Sequence, residues 1–292
     1  MQLAYEIWDV FTDKALTGNP LAIIRDASGL SSEQMQAIAK EFNLSETSFI
    51  LPTETADLRA RYFTPARELP MAGHPSIGTI YACHAAGLIS KTEVTLELPI
   101  GLVPMSLELE DQNLKCVWMS QGIPDLLSDV TERVAVARAL GLEVEDLIDT
   151  LPIQVVSAGN PFMLVPLDSL EVLEKARLNL ALLPEDLLDK HRAVLAFTFD
   201  SPDSDVRCRV FAEAMGVIED PATGSAHGPL GWYVAQHELF DFSDGEFAII
   251  SHQGVEMGRP GELFVRVKQQ EAGFSVDVGG QAVKVAEGTL WL

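Results

Sequence analysis

Two short turns carry the residue types that proton chemistry on an anionic ligand requires. The first reads Ala72-Gly73-His74-Pro75-Ser76-Ile77-Gly78 and the second Asp220-Pro221-Ala222-Thr223-Gly224-Ser225. An imidazole titrates near neutral pH, so His74 has the chemistry to give or take a proton. Asp220 offers a carboxylate, and on local sequence it reads equally well as a helix N-cap. Each turn leads into a segment with helical patterning. The first N–H groups of a helix lack internal partners and sit at the positive end of its dipole. Such a start binds a carboxylate without a lysine. Gly73 and Gly224 let backbone approach a ligand closely, and Ser225 adds a hydroxyl donor. Proline and glycine at these places equally do no more than shape the chain.

A third acid, Glu46, sits in Asn43-Leu44-Ser45-Glu46-Thr47-Ser48-Phe49-Ile50. Against apolar walls the charged form of a glutamate is disfavoured, which raises its pKa from about 4.3 and makes it a usable proton shuttle. A solvated loop glutamate is the plainer reading of the local sequence. His227, close to Ser225, is a supporting candidate; His84, His191, His237 and His252 read as ordinary histidines. Gly224-Ser225-Ala226-His227-Gly228 does not match the G-x-S-x-G elbow, and no G-x-G-x-x-G, P-loop or H-E-x-x-H is present. No metal site is expected.

These residues need elements to place them. Leu3–Phe11 has strand composition, and a helix begins after Ser31, which forms a capping box with Gln34; Met35, Ile38, Ala39 and Phe42 give it an apolar face. Strands are predicted at Ser48–Leu51 and over Arg59–Phe63, then a helix from about Pro75 that stops at Gly87. In the second half, Asp129 and Glu132 are expected to cap a helix through Leu140 that Gly141 closes. Strands are expected at Ile153–Ser157, Ala193–Phe199 and Val206–Phe211. A helix should follow Pro221 and run to about Ala235, and the last fifty residues read as strands.

The halves share a grammar. Gly18-Asn19-Pro20 returns as Gly159-Asn160-Pro161, Arg59-x-Arg61-x-Phe63 as Arg207-x-Arg209-x-Phe211, and His74-Pro75 as Asp220-Pro221, at offsets of 141, 148 and 146 residues. Three matches in one order at nearly one spacing indicate duplication. Duplicated lobes tend to pack about a pseudo-two-fold axis, and inter-domain clefts favour ligands. This reading puts His74 and Asp220 at the same place in the two copies, looking at one substrate from opposite sides. The expected lobes are 1–121 and 122–283, with a C-terminal strand at about 284–292 that has the option of returning to the first.

The chain has 292 residues and a formal net charge of -23. So acidic a surface repels phosphate backbones, which argues against nucleic acid and not against a small anionic metabolite. Three scattered cysteines give neither a disulfide framework nor a zinc motif. With no basic, apolar start and no apolar run long enough for a bilayer, the expectation is a cytoplasmic protein with no membrane partner.

The motifs together resemble the PhzF-like family of phenazine biosynthesis, within the diaminopimelate-epimerase-like superfamily. The resemblance rests on Asp9-Val10-Phe11-Thr12, Gly18-Asn19-Pro20, Leu44-Ser45-Glu46-Thr47, Phe63-Thr64-Pro65 and Glu68-Leu69-Pro70-Met71-Ala72-Gly73-His74-Pro75. It continues through Gly159-Asn160-Pro161-Phe162, Glu219-Asp220-Pro221-Ala222-Thr223-Gly224-Ser225-Ala226, Gln253-Gly254, Met257-Gly258-Arg259-Pro260 and Val278-Gly279-Gly280. It implies an α+β fold of two pseudo-symmetric lobes, each a mixed β-barrel around a central helix. It also implies a homodimer, no cofactor, and isomerisation of a dihydro-hydroxyanthranilate by moving a proton between ring carbons. Glu46, His74 and Asp220 match the family's catalytic residues, and Gly73, Gly224 and Ser225 its substrate-binding residues. Epimerases of related fold use one cysteine per lobe in these turns; Cys83, Cys116 and Cys208 lie elsewhere. A cysteine-free epimerase or racemase and a non-catalytic metabolite-binding protein stay open at this point.

Overall fold

The computed structural model describes residues 1–185, 187, 193–213 and 217–292; His191 lies outside them. The chain forms two compact units, Met1–Ser120 with Gly279–Leu292, and Gln121–Val278. Both follow one wiring plan.

In the first unit, β1 (Gln2–Val10) lies between the C-terminal strand β18 (Ala282–Trp291) and β2 (Asn19–Ile24), antiparallel to both. β2 runs parallel to β3 (Glu46–Leu51), and α1 (Ser32–Phe42) makes the crossover that a parallel pair requires. The capping box is formed: Ser31 accepts from the Gln34 amide, and the Gln34 side chain accepts from the Ser31 amide. Met35, Ile38 and Ala39 then pack on Phe49 and Phe63. β3 pairs with β4 (Leu58–Phe63), which carries β5 (Glu68–Leu69) on one part and runs parallel to β6 (Glu93–Leu98) on another. β7 (Gly101–Glu110) and β8 (Asn113–Ser120) extend the antiparallel run.

The crossover from β4 to β6 is α2 (Gly73–Ala85), and every residue from Gly73 to Cys83 is buried. A helix apolar on all sides belongs at the centre of a fold. It touches β1, β2, β3, β8 and β18. Gly78 permits the approach: a methyl there would stand 2.6 Å from the Leu21 side chain.

The second unit repeats the scheme. β9 (Asp125–Val130), β10 (Ile153–Ser157) and β11 (Pro161–Pro166) are antiparallel, and β11 runs parallel to β12 (Ala193–Thr198). β13 (Val206–Ala212) pairs with β12, carries β14 (Val217–Asp220), and runs parallel to β15 (Glu246–Gln253). The short helices α3 (Arg133–Ala139) and α4 (Leu170–Lys175) flank this sheet. The buried crossover helix is α5 (Gly224–Gln236), which touches β10, β11 and β16 (Gly261–Gln270). Duplication thus extends from motifs to strand pairing, and the fold is α+β.

Three local expectations are corrected. Asp129 does not cap a helix; it lies in β9, where its Oδ1 accepts from Gln154 Nε2 at 2.8 Å, and α3 starts after Glu132. Asp220 is not an N-cap: it ends β14, and Thr223 precedes α5. The third correction concerns the repeat. Arg61 and Arg209 each clamp a glutamate through Nε and Nη2, Glu68 and Glu219 respectively. Those glutamates are 151 residues apart, as are the helix starts Gly73 and Gly224. His74 therefore corresponds to Ser225, and Asp220 to Leu69. Pro75 lies inside the first turn of α2, whereas Pro221 lies outside α5, so two similar dipeptides do different jobs.

Candidate active site

Three chain elements of the first unit begin at one place. Asn19 opens β2, Glu46 opens β3, and His74 is the second residue of α2. The parallel pairing of β2 with β3 sets Leu21 opposite Glu46, which keeps both strand starts on one edge. Side chains alternate along β3. Phe49 faces α1, while Ser48 bonds Thr79 of α2 at 2.7 Å and Glu46 reaches His74. Glu46 is thus a strand residue on the face turned to the central helix.

Glu46 Oε2 lies 3.3 Å from His74 Nδ1, and Asn19 Nδ2 lies 3.4 Å from the same nitrogen. His74 is buried, and burial pushes its pKa down to about 3. The ring is therefore neutral at physiological pH, so its 3.3 Å approach to Glu46 is not an ion pair. Nδ1 plays one role at a time. With a proton it donates to the Glu46 carboxylate; without one it accepts from the Asn19 amide or from a protonated Glu46. The other nitrogen, Nε2, is buried and has no hydrogen-bond partner among the described residues. Glu46 keeps 18% side-chain exposure, so the acid is not sealed in.

The second unit supplies another polar cluster. The Thr223 hydroxyl donates to Asp220 Oδ2 at 2.5 Å. Gln253, at the end of β15, donates to the Asp220 carbonyl at 2.7 Å and accepts from the Thr223 amide at 3.0 Å. His227 is buried between the Thr223 carbonyl (2.9 Å from Nδ1) and Ser251 Oγ (2.9 Å from Nε2), and burial pushes its pKa down to about 4. Gly224 and Ser225 open α5.

The two central helices share a feature that α1 and α4 lack. Ser31 and Ser169 cap α1 and α4 with side-chain oxygens. Neither Ala72 before α2 nor Thr223 before α5 makes a side-chain cap bond, and neither first turn holds an acid. Helix starts of this kind leave amide donors and dipole available to an anion.

All the predicted site residues are placed. Glu46 and His74 are in direct contact, with Gly73 beginning the same helix turn; Asp220 belongs to the second cluster, and Gly224 and Ser225 open the helix that follows it. Sequence reasoning did not single out Asn19, Thr223 or Gln253. Their signal was present as Gly-Asn-Pro and Gln-Gly within recognised motifs, but their roles appear only through contacts distant in sequence. Among the described residues no group of His, Cys, Asp and Glu is arranged to hold a metal ion, and no helix is long and apolar enough to cross a membrane.

The buried histidines make stability depend on pH. Their folded pKa values lie below the reference of about 6.5, so the unfolded chain binds more protons as pH falls. Stability is complete above about pH 6.5 and is lost as pH drops towards 4, by up to about 1.4 kcal/mol per pH unit for each histidine. Urea unfolding at pH 7 and pH 5 should differ by about 2 kcal/mol or more, and His227→Gln should flatten the dependence. Equal stability at both pH values would contradict neutral, buried rings.

Comparison with known proteins gives a consistent result. The family profile described as "Phenazine biosynthesis-like protein" matches residues 8–288. The chain is 38% identical over 302 residues to the trans-2,3-dihydro-3-hydroxyanthranilate isomerase of Pseudomonas aeruginosa, covering 99% of each chain. It is 36% identical to an uncharacterized isomerase of Clostridium acetobutylicum, covering 99% of this chain and 97% of the relative. The crystal structure of the Bacillus anthracis phenazine biosynthesis protein of the PhzF family superposes with a TM-score of 0.93 at 33% identity, over 100% of both chains.

Proposed function

The chain belongs to the phenazine biosynthesis-like (PhzF-like) family and is an isomerase; from that premise we propose that it moves a proton within a small carboxylate-bearing metabolite, without a cofactor. Glu46 takes the proton from one carbon and returns it to another. His74 supports it by offering Nδ1–H to the carboxylate and accepting from the protonated acid, and Nε2 is the ring atom assigned to the substrate. Asp220 orients the substrate in the same turnover. The uncapped start of α2, at Gly73, and that of α5, at Gly224 with the Ser225 hydroxyl, are each assigned to anion binding. The observation that carries this reading is the Glu46–His74 contact: an acid that keeps some exposure, backed by an imidazole too buried to charge. A positive histidine there would hold Glu46 as a carboxylate and weaken it as a base; a neutral one leaves its basicity usable.

A two-thiol racemase is disfavoured. The first-turn positions hold His74 and Ser225, and all three cysteines are buried. Burial also pushes the Cys83 and Cys208 thiols up to about 12, far from a working thiolate.

The test is a thermal-shift screen of carboxylate metabolites that includes trans-2,3-dihydro-3-hydroxyanthranilate, followed by NMR of each stabilising compound with enzyme. The expected result is conversion to an isomer at a rate unchanged by EDTA and by iodoacetamide. Loss of turnover on chelation would defeat the cofactor-free reading, and loss on alkylation would restore the thiol reading.

A further inference from the structure

The turn before α5 is held from one direction by two consecutive residues, Gln253 and Gly254. Gln253 is completely buried. Its amide orientation is fixed by its partners, since the Asp220 carbonyl only accepts and the Thr223 amide only donates. Nε2 therefore faces the carbonyl, and its second proton goes to Thr223 Oγ1 at 3.0 Å. The Thr223 hydroxyl, which accepts that bond, has its own proton directed to Asp220 Oδ2. Gly254 completes the clamp by letting the Pro221 carbonyl pack where a side chain would stand.

We propose that Gln253 is a positioning residue, which fixes the direction of the Thr223 hydroxyl proton so that it orients the Asp220 carboxylate and favours its ionised form. The proposal rests on the reading that Asp220 serves the reaction. Asp220 presents the substrate with a carboxylate in one rotamer and one protonation state, set by a chain of hydrogen bonds with a single polarity.

Glu219 is occupied by Arg209 at 2.8 Å and Glu256 by Arg207 at 3.0 Å. The Cys208 thiol, 3.9 Å from Gln253 Oε1, and His227, on the Thr223 carbonyl, both stay neutral near pH 7.

Carboxyl-labelled (13C) aspartate and NMR titration read Asp220 directly, its signal assigned by its disappearance in Asp220→Asn. A hydrogen bond to the charged form lowers a carboxyl pKa, so its removal raises it. Thr223→Val should raise the Asp220 midpoint by about one pH unit, and Gln253→Leu should raise it in the same direction. Thr223→Ser should restore the wild-type value. If Gln253→Leu fails to fold, Thr223→Val, which keeps the shape of the side chain, carries the test. An Asp220 midpoint that is the same in wild type and Thr223→Val, or in wild type and a folded Gln253→Leu, overturns the proposal. No turnover is measured, so this outcome is separate from failure of the proposed reaction.

Discussion

Glu46→Gln lowers kcat by about a thousandfold while the protein folds and binds ligand as before. The factor is the middle of the range for a positioned acid–base group. The amide has nearly the shape of the carboxylate, and its oxygen still accepts from His74 Nδ1, so the 3.3 Å contact survives. It has no basic lone pair of carboxylate strength, so it does not take the proton. Glu46→Asp keeps the acid but withdraws it by one methylene. A displacement of that size costs about a hundredfold when the reacting groups must be near contact. Steady-state kinetics with calorimetric ligand binding check both variants. Wild-type kcat in Glu46→Gln would move the proton transfer to His74 or Asp220.

Gly254→Ala has the second large effect, and it acts at a distance from the chemistry. Gly254 has φ +78, a conformation unfavourable for alanine. A methyl there would stand 2.4 Å from the Pro221 carbonyl oxygen and 2.5 Å from that of Arg259, both backbone atoms. Something must shift, and the turn carrying Asp220 is in the way. The expected cost is about 3 kcal/mol in unfolding free energy, with turnover reduced about a hundredfold through misplacement of Asp220. Gly258 is the control. Its φ is +72, but nothing lies within 4 Å of a methyl there. Gly258→Ala should cost only about 1 kcal/mol and leave kcat unchanged. Equal losses in the two variants would show that backbone conformation, not the Pro221 contact, sets the effect.

The amino-acid sequence carried the candidate site residues and the duplication, because both are written in short motifs. The alignment of the copies was harder to read. Pairing His74-Pro75 with Asp220-Pro221 followed identical prolines, whereas the helix starts and the Arg–Glu clamps pair His74 with Ser225. Local identity misled because proline is tolerated both in a first helical turn and in the turn before it. The environment of Glu46 was half legible. Alternation of Glu46 and Ser48 with Thr47 and Phe49 marks two faces of a strand, but only the tertiary fold says that the polar face meets α2. Asp129 was misread for a similar reason. Asp and Glu before an apolar helix suggest caps, yet Asp129 is needed across the strand pair by Gln154. Strands β6 to β9 were not predicted at all. In β9 the run Asp125-Leu126-Leu127-Ser128 breaks the apolar alternation that marks a half-buried strand, whereas in β6 Val94, Leu96 and Leu98 do alternate with Glu93, Thr95 and Glu97, and that signal was overlooked.

A crystal structure of the Glu46→Gln variant with bound substrate tests the central claim most directly. The account predicts the residue 46 amide within about 3.5 Å of the carbon that loses its proton, the separation required for transfer, and His74 still on its other side. Substrate bound with that carbon nearest to Asp220 or His74, and residue 46 turned away, would contradict it.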